Sequence, residues 1–259
     1  MSLRVTLVQQ PLFWQDPPRN RARFEALIAP LRGRTDLVVL PETFATGFSM
    51  EPERLAERPA GATAQWLRRL AEQLGAAVTG SVMTVDEGRH FNRLLWAQPG
   101  CELRHYDKRH LFRMGNEHEH FAPGRQAWCV EWRGMRFCPL VCYDLRFPVF
   151  SRRRPGLDYD VLVYVANWPA ARAYAWRQLL VARAIENQAY VIGVNRVGPD
   201  GDGIEHQGDS RVCDFLGQPL ADLGADPAVV TVALDAQALR AFRERFPAHL
   251  DADRFSLEL

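Results

Sequence analysis

Residues 37–44 read Leu37-Val38-Val39-Leu40-Pro41-Glu42-Thr43-Phe44. The first four form a short, continuous apolar run, as expected of a central strand covered on both faces. A covered strand needs helices or a second sheet around it, and the flanking sequence supplies both. Upstream, Leu3 to Val8 reads as a buried strand. Asp16-Pro17 then offers an N-cap followed by proline at the first helical position. Phe24, Leu27, Ile28 and Leu31 continue at helical spacing to an end near Gly33. Downstream, Trp66, Leu67, Leu70 and Leu74 mark a second helix, closed by Gly75 at the C′ position.

The alternation continues along the chain. Ala76 to Val85 and Phe91 to Ala97 flank Asp86-Glu87-Gly88, a hairpin signal. Cys101 to Tyr106 reads as a strand, and Trp128 to Trp132 and Met135 to Val141 flank a turn at Arg133-Gly134. Asp160 to Ala166 is apolar and β-branched. A helix from about Arg172 to Gln188 leads into the strand Tyr190 to Asn195, and the last strands fall around Val212 to Phe215 and Val229 to Leu234. Two similar halves follow one another with no Ser/Gly-rich or low-complexity boundary. The expectation is one α/β domain over residues 1–259, with two sheets face to face and helices outside. The tail, residues 246–259, has no clear pattern and is expected to dock on a partner subunit.

Composition narrows the function classes. The chain has 259 residues, 47% hydrophobic and 24% charged, with a formal net charge of +1. No global field favours nucleic acid or an acidic membrane. The densest basic run, Arg152-Arg153-Arg154, reads as a solvated helix end or an ion-pair site. No stretch approaches the roughly 18 apolar residues of a membrane helix. Cysteines at 101, 129, 138, 142 and 213 are scattered through apolar stretches, and no secretory leader is read, so a reducing cytoplasm is expected. Cys101, Cys129, Cys138 and Cys213 are expected to be small buried hydrophobes. On a straight strand Cys138 and Cys142 would lie about 13 Å apart, too far for a disulfide.

Lys108 is the only lysine, although arginine is abundant. Lysine is a compact charge with three donors, whereas arginine is a planar fork, so a single retained lysine suggests a task a fork cannot do. Lys108, Glu42 and Cys142 each sit just past the carboxyl end of an expected strand, where ligand crevices form in α/β sheets. Together they suffice for acyl chemistry. A thiol attacks a carbonyl carbon once its proton is removed. A carboxylate serves as base and then as acid for the leaving amine. The ammonium keeps Glu42 ionised and donates to the oxyanion, and the backbone N–H of Tyr143, at a sharp strand-to-helix turn, is the candidate second donor. Taken singly, the same residues also read as a buried cysteine, a helix-capping acid and a surface charge.

Three strings bring a family into view. Leu40-Pro41-Glu42-Thr43-Phe44, Tyr106-Asp107-Lys108-Arg109-His110-Leu111-Phe112 and Leu140-Val141-Cys142-Tyr143-Asp144-Leu145-Arg146-Phe147-Pro148 resemble the signature blocks of the nitrilase superfamily, the carbon–nitrogen hydrolases. Val165-Ala166-Asn167-Trp168-Pro169, Ala182-Arg183-Ala184-Ile185-Glu186-Asn187 and Gly208-Asp209-Ser210 extend the likeness to about residues 3–235. The resemblance implies an αββα four-layer sandwich, usually dimeric. Within it Glu42 is the base, Lys108 the transition-state stabiliser and Cys142 the nucleophile. It also implies a second glutamate in the loop after the lysine, for which Glu117 is preferred over Glu119.

Within the superfamily the strings look most like the Nit/ω-amidase branch, which hydrolyses the terminal amide of α-keto acid amides such as 2-oxoglutaramate. Tyr143 and Asp144 after the nucleophile, in place of tryptophan and glutamate, argue against a nitrile. An aromatic-walled pocket is expected around Phe44 and Trp168. Arg146 is near enough to receive a substrate carboxylate, but it is equally able to pair with Asp144, so no role is assigned to it. The Glu117-His118-Glu119-His120 cluster, with His105 and His110 upstream, lacks structural-zinc spacing, and neither a metal nor a cofactor is expected. Alternative readings are amidases of deaminated glutathione or N-carbamoyl compounds, and a non-catalytic binding protein on the same fold.

Overall fold

The computed structural model describes residues 2–258. Twelve strands form two six-stranded sheets. In chain order they are β1 (Ser2–Gln9), β2 (Leu37–Val39), β3 (Ala77–Asp86), β4 (Arg89–Ala97), β5 (Arg104–Asp107), β6 (Val130–Trp132), β7 (Met135–Val141), β8 (Val161–Ala166), β9 (Tyr190–Asn195), β10 (Arg211–Cys213), β11 (Pro219–Asp222) and β12 (Ala228–Asp235). One sheet runs β12-β1-β2-β3-β4-β5 and the other β11-β10-β9-β8-β7-β6. Each has three parallel strands at its centre, β1-β2-β3 and β7-β8-β9, with antiparallel strands outside them.

The helices are α1 (Pro17–Ile28), α2 (Pro52–Leu55), α3 (Ala62–Leu74), α4 (Glu117–His120), α5 (Pro148–Ser151), α6 (Ala173–Asn187) and α7 (Ala236–Arg245). Asp16 caps α1 as its sequence requires, accepting from the Arg19 N–H at 3.1 Å. Gly75 ends α3 in the left-handed conformation. The turn between β3 and β4 is a two-residue one, with φ of 49° at Glu87 and 74° at Gly88. Positive φ at both positions matches the right-handed twist of the strands, and glycine carries the second at no steric cost.

Burial defines the layers. Val5, Leu7, Leu37, Val39, Leu94 and Trp96 of the first sheet share one apolar cluster with Phe137, Val161, Val163 and Ile192 of the second. Trp96 meets Phe137 with ring centroids 5.3 Å apart. On the outer face of the first sheet, Val8, Val38, Leu40 and Val78 pack under Phe24 and Ile28 of α1 and Trp66, Leu67 and Leu70 of α3. On the outer face of the second, α6 lays Trp176 and Leu180 close over Gly193. The order is helix, sheet, sheet, helix, the expected αββα sandwich.

Two expectations are corrected, and one helix is added to the elements read from the sequence. Cys101 is exposed in the turn before a shorter β5, and Cys129 is only half-buried. The segment Ala236–Arg245, left without an assignment in the sequence, is a helix capped by Asp235. Phe44, expected at the pocket, is fully buried behind the first sheet, 5.7 Å from the Phe24 ring and 5.8 Å from Trp66.

Gly80 makes room for that last arrangement. A Cβ there would stand 2.8 Å from the Phe44 ring and 2.9 Å from the Leu40 Cβ. Gly80→Val is therefore expected to cost about 1–3 kcal/mol by overpacking, read as a lower urea midpoint with an unchanged slope.

Candidate functional site

The site gathers where strands end. Glu42 follows β2 through Leu40 and Pro41, Lys108 follows β5 directly, and Cys142 follows β7. Asn167 follows β8, and Glu117 opens α4. Because β2, β7 and β8 belong to the parallel cores of two facing sheets, their carboxyl ends open to one crevice. The N–H of Lys108 donates to the Asn92 carbonyl at 2.9 Å, carrying the edge strand's pairing to the residue that bears the ammonium.

An ammonium shared by two carboxylates lies at the centre. Lys108 Nζ donates to Glu42 Oε1 at 2.9 Å and to Glu117 at 2.8 and 3.0 Å. All three side chains are fully buried. Burial opposes the charge on Lys108, but Glu117 and Glu42 outweigh it and hold its pKa above the ordinary lysine value. Burial pushes the Glu117 carboxyl upward; Lys108 pulls it back, Glu42 adds to the rise, and the net direction is up. Two carboxylates around one ammonium leave an excess negative charge in a dry site, which favours a proton on one of them.

Backbone and amide donors fix the two carboxylates. Glu42 Oε2 accepts from the Asn167 N–H at 2.7 Å, and Glu117 Oε2 from the Phe112 N–H at 2.6 Å. Asn92 Nδ2 donates to both, at 2.8 Å to Glu42 and 3.0 Å to Glu117. Asn167 Nδ2 donates to the Glu42 carbonyl at 2.6 Å and to Thr43 Oγ1 at 3.1 Å. This orients the Asn167 amide and leaves its buried Oδ1 without a partner among the described residues.

Cys142 has φ of 44°, left-handed for a residue with a Cβ, at the start of the 3-10 turn Cys142–Arg146. A non-glycine residue held there stores strain that its surroundings must impose. Asp144 imposes it, accepting from the Val141 N–H at 3.0 Å, the Tyr106 hydroxyl at 2.7 Å and the His110 N–H at 3.0 Å. Burial pushes the Cys142 thiol well above its ordinary pKa, and Glu42 pushes it further, while Lys108 pulls the other way. The resting group is the thiol, and attack needs a base beside it.

Cys142 and Lys108 line a cavity of about 110 Å³ with Phe48, Phe112, Tyr143 and Trp168. The structure thus brings together Glu42, Lys108, Cys142, Glu117, Tyr143 and Trp168, and leaves Phe44 outside. Glu117 is the second buried carboxylate; the Glu119 side chain is 62% exposed. Arg146 does not pair with Asp144; its guanidinium lies 5.0 Å over the Trp168 ring and faces the cavity. Sequence reasoning missed Asn92, Asn167 as a ligand of Glu42, and the wall formed by Asp200, Asp202 and His206. A lone asparagine in a strand carries no local signal; only its pairing opposite Lys108 shows what it touches.

Similarity to known proteins runs over nearly the whole chain. The family model for carbon-nitrogen hydrolases matches residues 4–244. Omega-amidase YafV of Escherichia coli strain K12 is 49% identical over 258 residues, covering 98% of each chain. The 2-oxoglutaramate amidase of Bacillus subtilis strain 168 is 31% identical over 254 residues, covering 97% of this chain and 98% of that one. The crystal structure of XC1258 from Xanthomonas campestris, a CN-hydrolase superfamily protein with an arsenic adduct in the active site, superposes with a TM-score of 0.97. It shares 55% identity and all of both chains is covered.

The cavity wall carries a pH dependence of its own. Burial, with Arg196 nearby, lowers the His206 pKa from 6.5 to about 4. The unfolded chain therefore takes up the proton first as pH falls. Stability should be full above pH 6.5 and decline toward pH 4, by on the order of 3 kcal/mol. Denaturant titrations across this range should show that slope in the parent and lose most of it in His206→Gln.

Proposed function

This chain belongs to the carbon–nitrogen hydrolase family, and we propose that within it the protein is an ω-amidase. Its reaction is hydrolysis of the terminal carboxamide of a small α-keto acid amide of the 2-oxoglutaramate kind to acid and ammonia. The observation that carries the catalytic reading is the buried ammonium between Glu42 and Glu117, on the wall of the cavity that Cys142 enters. Similarity over nearly the whole chain to the omega-amidase and the 2-oxoglutaramate amidase supports the substrate class.

In this reading Glu42 takes the Cys142 proton as sulfur attacks the amide carbon. Lys108 Nζ and the Tyr143 N–H hold the oxyanion, each aimed before charge develops. Glu42 returns the proton to the departing nitrogen, which leaves as ammonia, and a thioester to Cys142 remains. Water, deprotonated by Glu42 with Glu117 assisting, cleaves the thioester and regenerates the thiol. The unpartnered Asn167 Oδ1 is suited to accept from the amide N–H of the substrate. Arg146, free of Asp144, is a candidate for the substrate carboxylate. Trp168 walls the pocket.

The molecule is proposed to act as a homodimer in the cytoplasm, as one folded unit. Phe246 and Leu250 of the tail are 58% and 76% exposed, and Tyr174 of α6 is 72% exposed, apolar surface suited to a second copy. No helix among the described residues is long and apolar enough to cross a membrane.

Cys142→Ala should abolish ammonia release from 2-oxoglutaramate while leaving the circular dichroism spectrum and unfolding midpoint close to the parent's. Lys108→Arg should lose about 10²–10³-fold in kcat, the scale of one oxyanion donor; substantial activity in that variant would refute the role given to the ammonium. A panel of 2-oxoglutaramate, deaminated glutathione and N-carbamoyl amino acids, assayed for ammonia, should rank 2-oxoglutaramate first. Another compound at the head of the panel would reassign the acyl group.

A further inference from the structure

Tyr143 borders a second cleft as well, of about 560 Å³. Arg109, His110, Arg113 and His118 line it, and no carboxylate does. This is an unusual local composition in a chain with 32 basic and 31 acidic side chains. Other arginines close to the sheets do hold acids: Arg93 pairs with Asp86 and Asp107, Arg153 with Asp158, and Arg243 with Asp160. Among the described residues Arg109 and Arg113 make no ion pair, and the one bond from the Arg109 guanidinium goes to the Gly124 carbonyl at 3.3 Å.

The cleft is also built. The His110 ring stacks on Phe147 with centroids 3.8 Å apart, and its Nδ1 lies 2.7 Å from Asp144 Oδ1. Arg109 is set by its N–H donating to the Tyr106 hydroxyl at 3.1 Å. His118 Nδ1 is buried without a hydrogen-bond partner among the described residues, and its nearest acid, Glu119, is 4.0 Å away and mostly exposed. Two permanent guanidinium charges on one concave surface repel each other until an anion enters, and the two imidazoles beside them add ring N–H groups able to donate to it. Guanidinium forks match the paired oxygens of carboxylate and phosphoryl groups.

We propose that this cleft is an anion site, distinct from the amide pocket and sharing only the Tyr143 wall with it, that binds a small dianion of the phosphoryl or dicarboxylate type. The test uses the full chain with Cys142 alkylated by iodoacetamide, so that the amide pocket is blocked, and isothermal titration with inorganic phosphate and, separately, glutarate. Saturable binding of at least one probe is expected, and the probe that binds more tightly identifies the source chemistry. Arg113→Ala and Arg109→Ala should each weaken it by about tenfold or more, the scale of a lost charge-assisted pair. Arg113 is exposed, so its variant should fold even if Arg109→Ala does not. No saturable heat with either probe, or binding that Arg113→Ala leaves unchanged, would overturn the proposal.

Discussion

A single ammonium shut away from the protein surface organises this molecule. A buried charge is tolerated only when partners and hydrogen bonds replace its solvent, and removing one partner leaves the other stranded. Lys108 therefore requires Glu42 and Glu117 at bonding distance at the same time. Those residues come from the ends of β2 and β5 and the start of α4, so the requirement ties together segments about 75 residues apart along the chain. Asn92 completes the set with one amide group that bridges both carboxylates. The geometry around the reacting thiol follows from this electrostatic knot, and any shift of one strand end would break it.

The two-sheet sandwich makes such a knot possible. Parallel strands at the centre of each sheet point their carboxyl ends the same way, and the facing sheets close the crevice from two sides. Trp96 packs against Phe137 between the sheets, where Val5 and Leu7 of β1, Val161 and Val163 of β8 and Ile192 of β9 join the same apolar cluster. Asp144 then locks the strained turn at Cys142 by gripping Val141, Tyr106 and His110 together. One carboxylate thus joins the edge of the first sheet to the turn that follows β7 of the second.

Much of this was legible in the chain. Continuous apolar runs such as Leu37 to Leu40 marked the covered strands, and Asp16, Gly75 and Gly88 punctuated the elements around them. The candidate triad was legible because each member follows a strand end, a position readable from local pattern. Phe44 was misjudged because nearness in sequence to Glu42 says nothing of which face of the sheet a side chain takes; Gly80 decides that from another strand. Helix α7 escaped because its exposed face is dense in arginine and only Leu239 and Arg243 are buried. Asn92 acts through contacts with Glu42 and Glu117, distant in sequence, which no local spacing encodes.

Lys108 is the one lysine in the chain, and it is 1% exposed. The folded surface therefore presents no side-chain amine at all. Reagents that acylate amines find no side-chain target, and proteases that cut beside lysine find no site, until the sheet ends part. Modification at this residue reports the opening of the reactive centre itself, with no background from elsewhere on the surface.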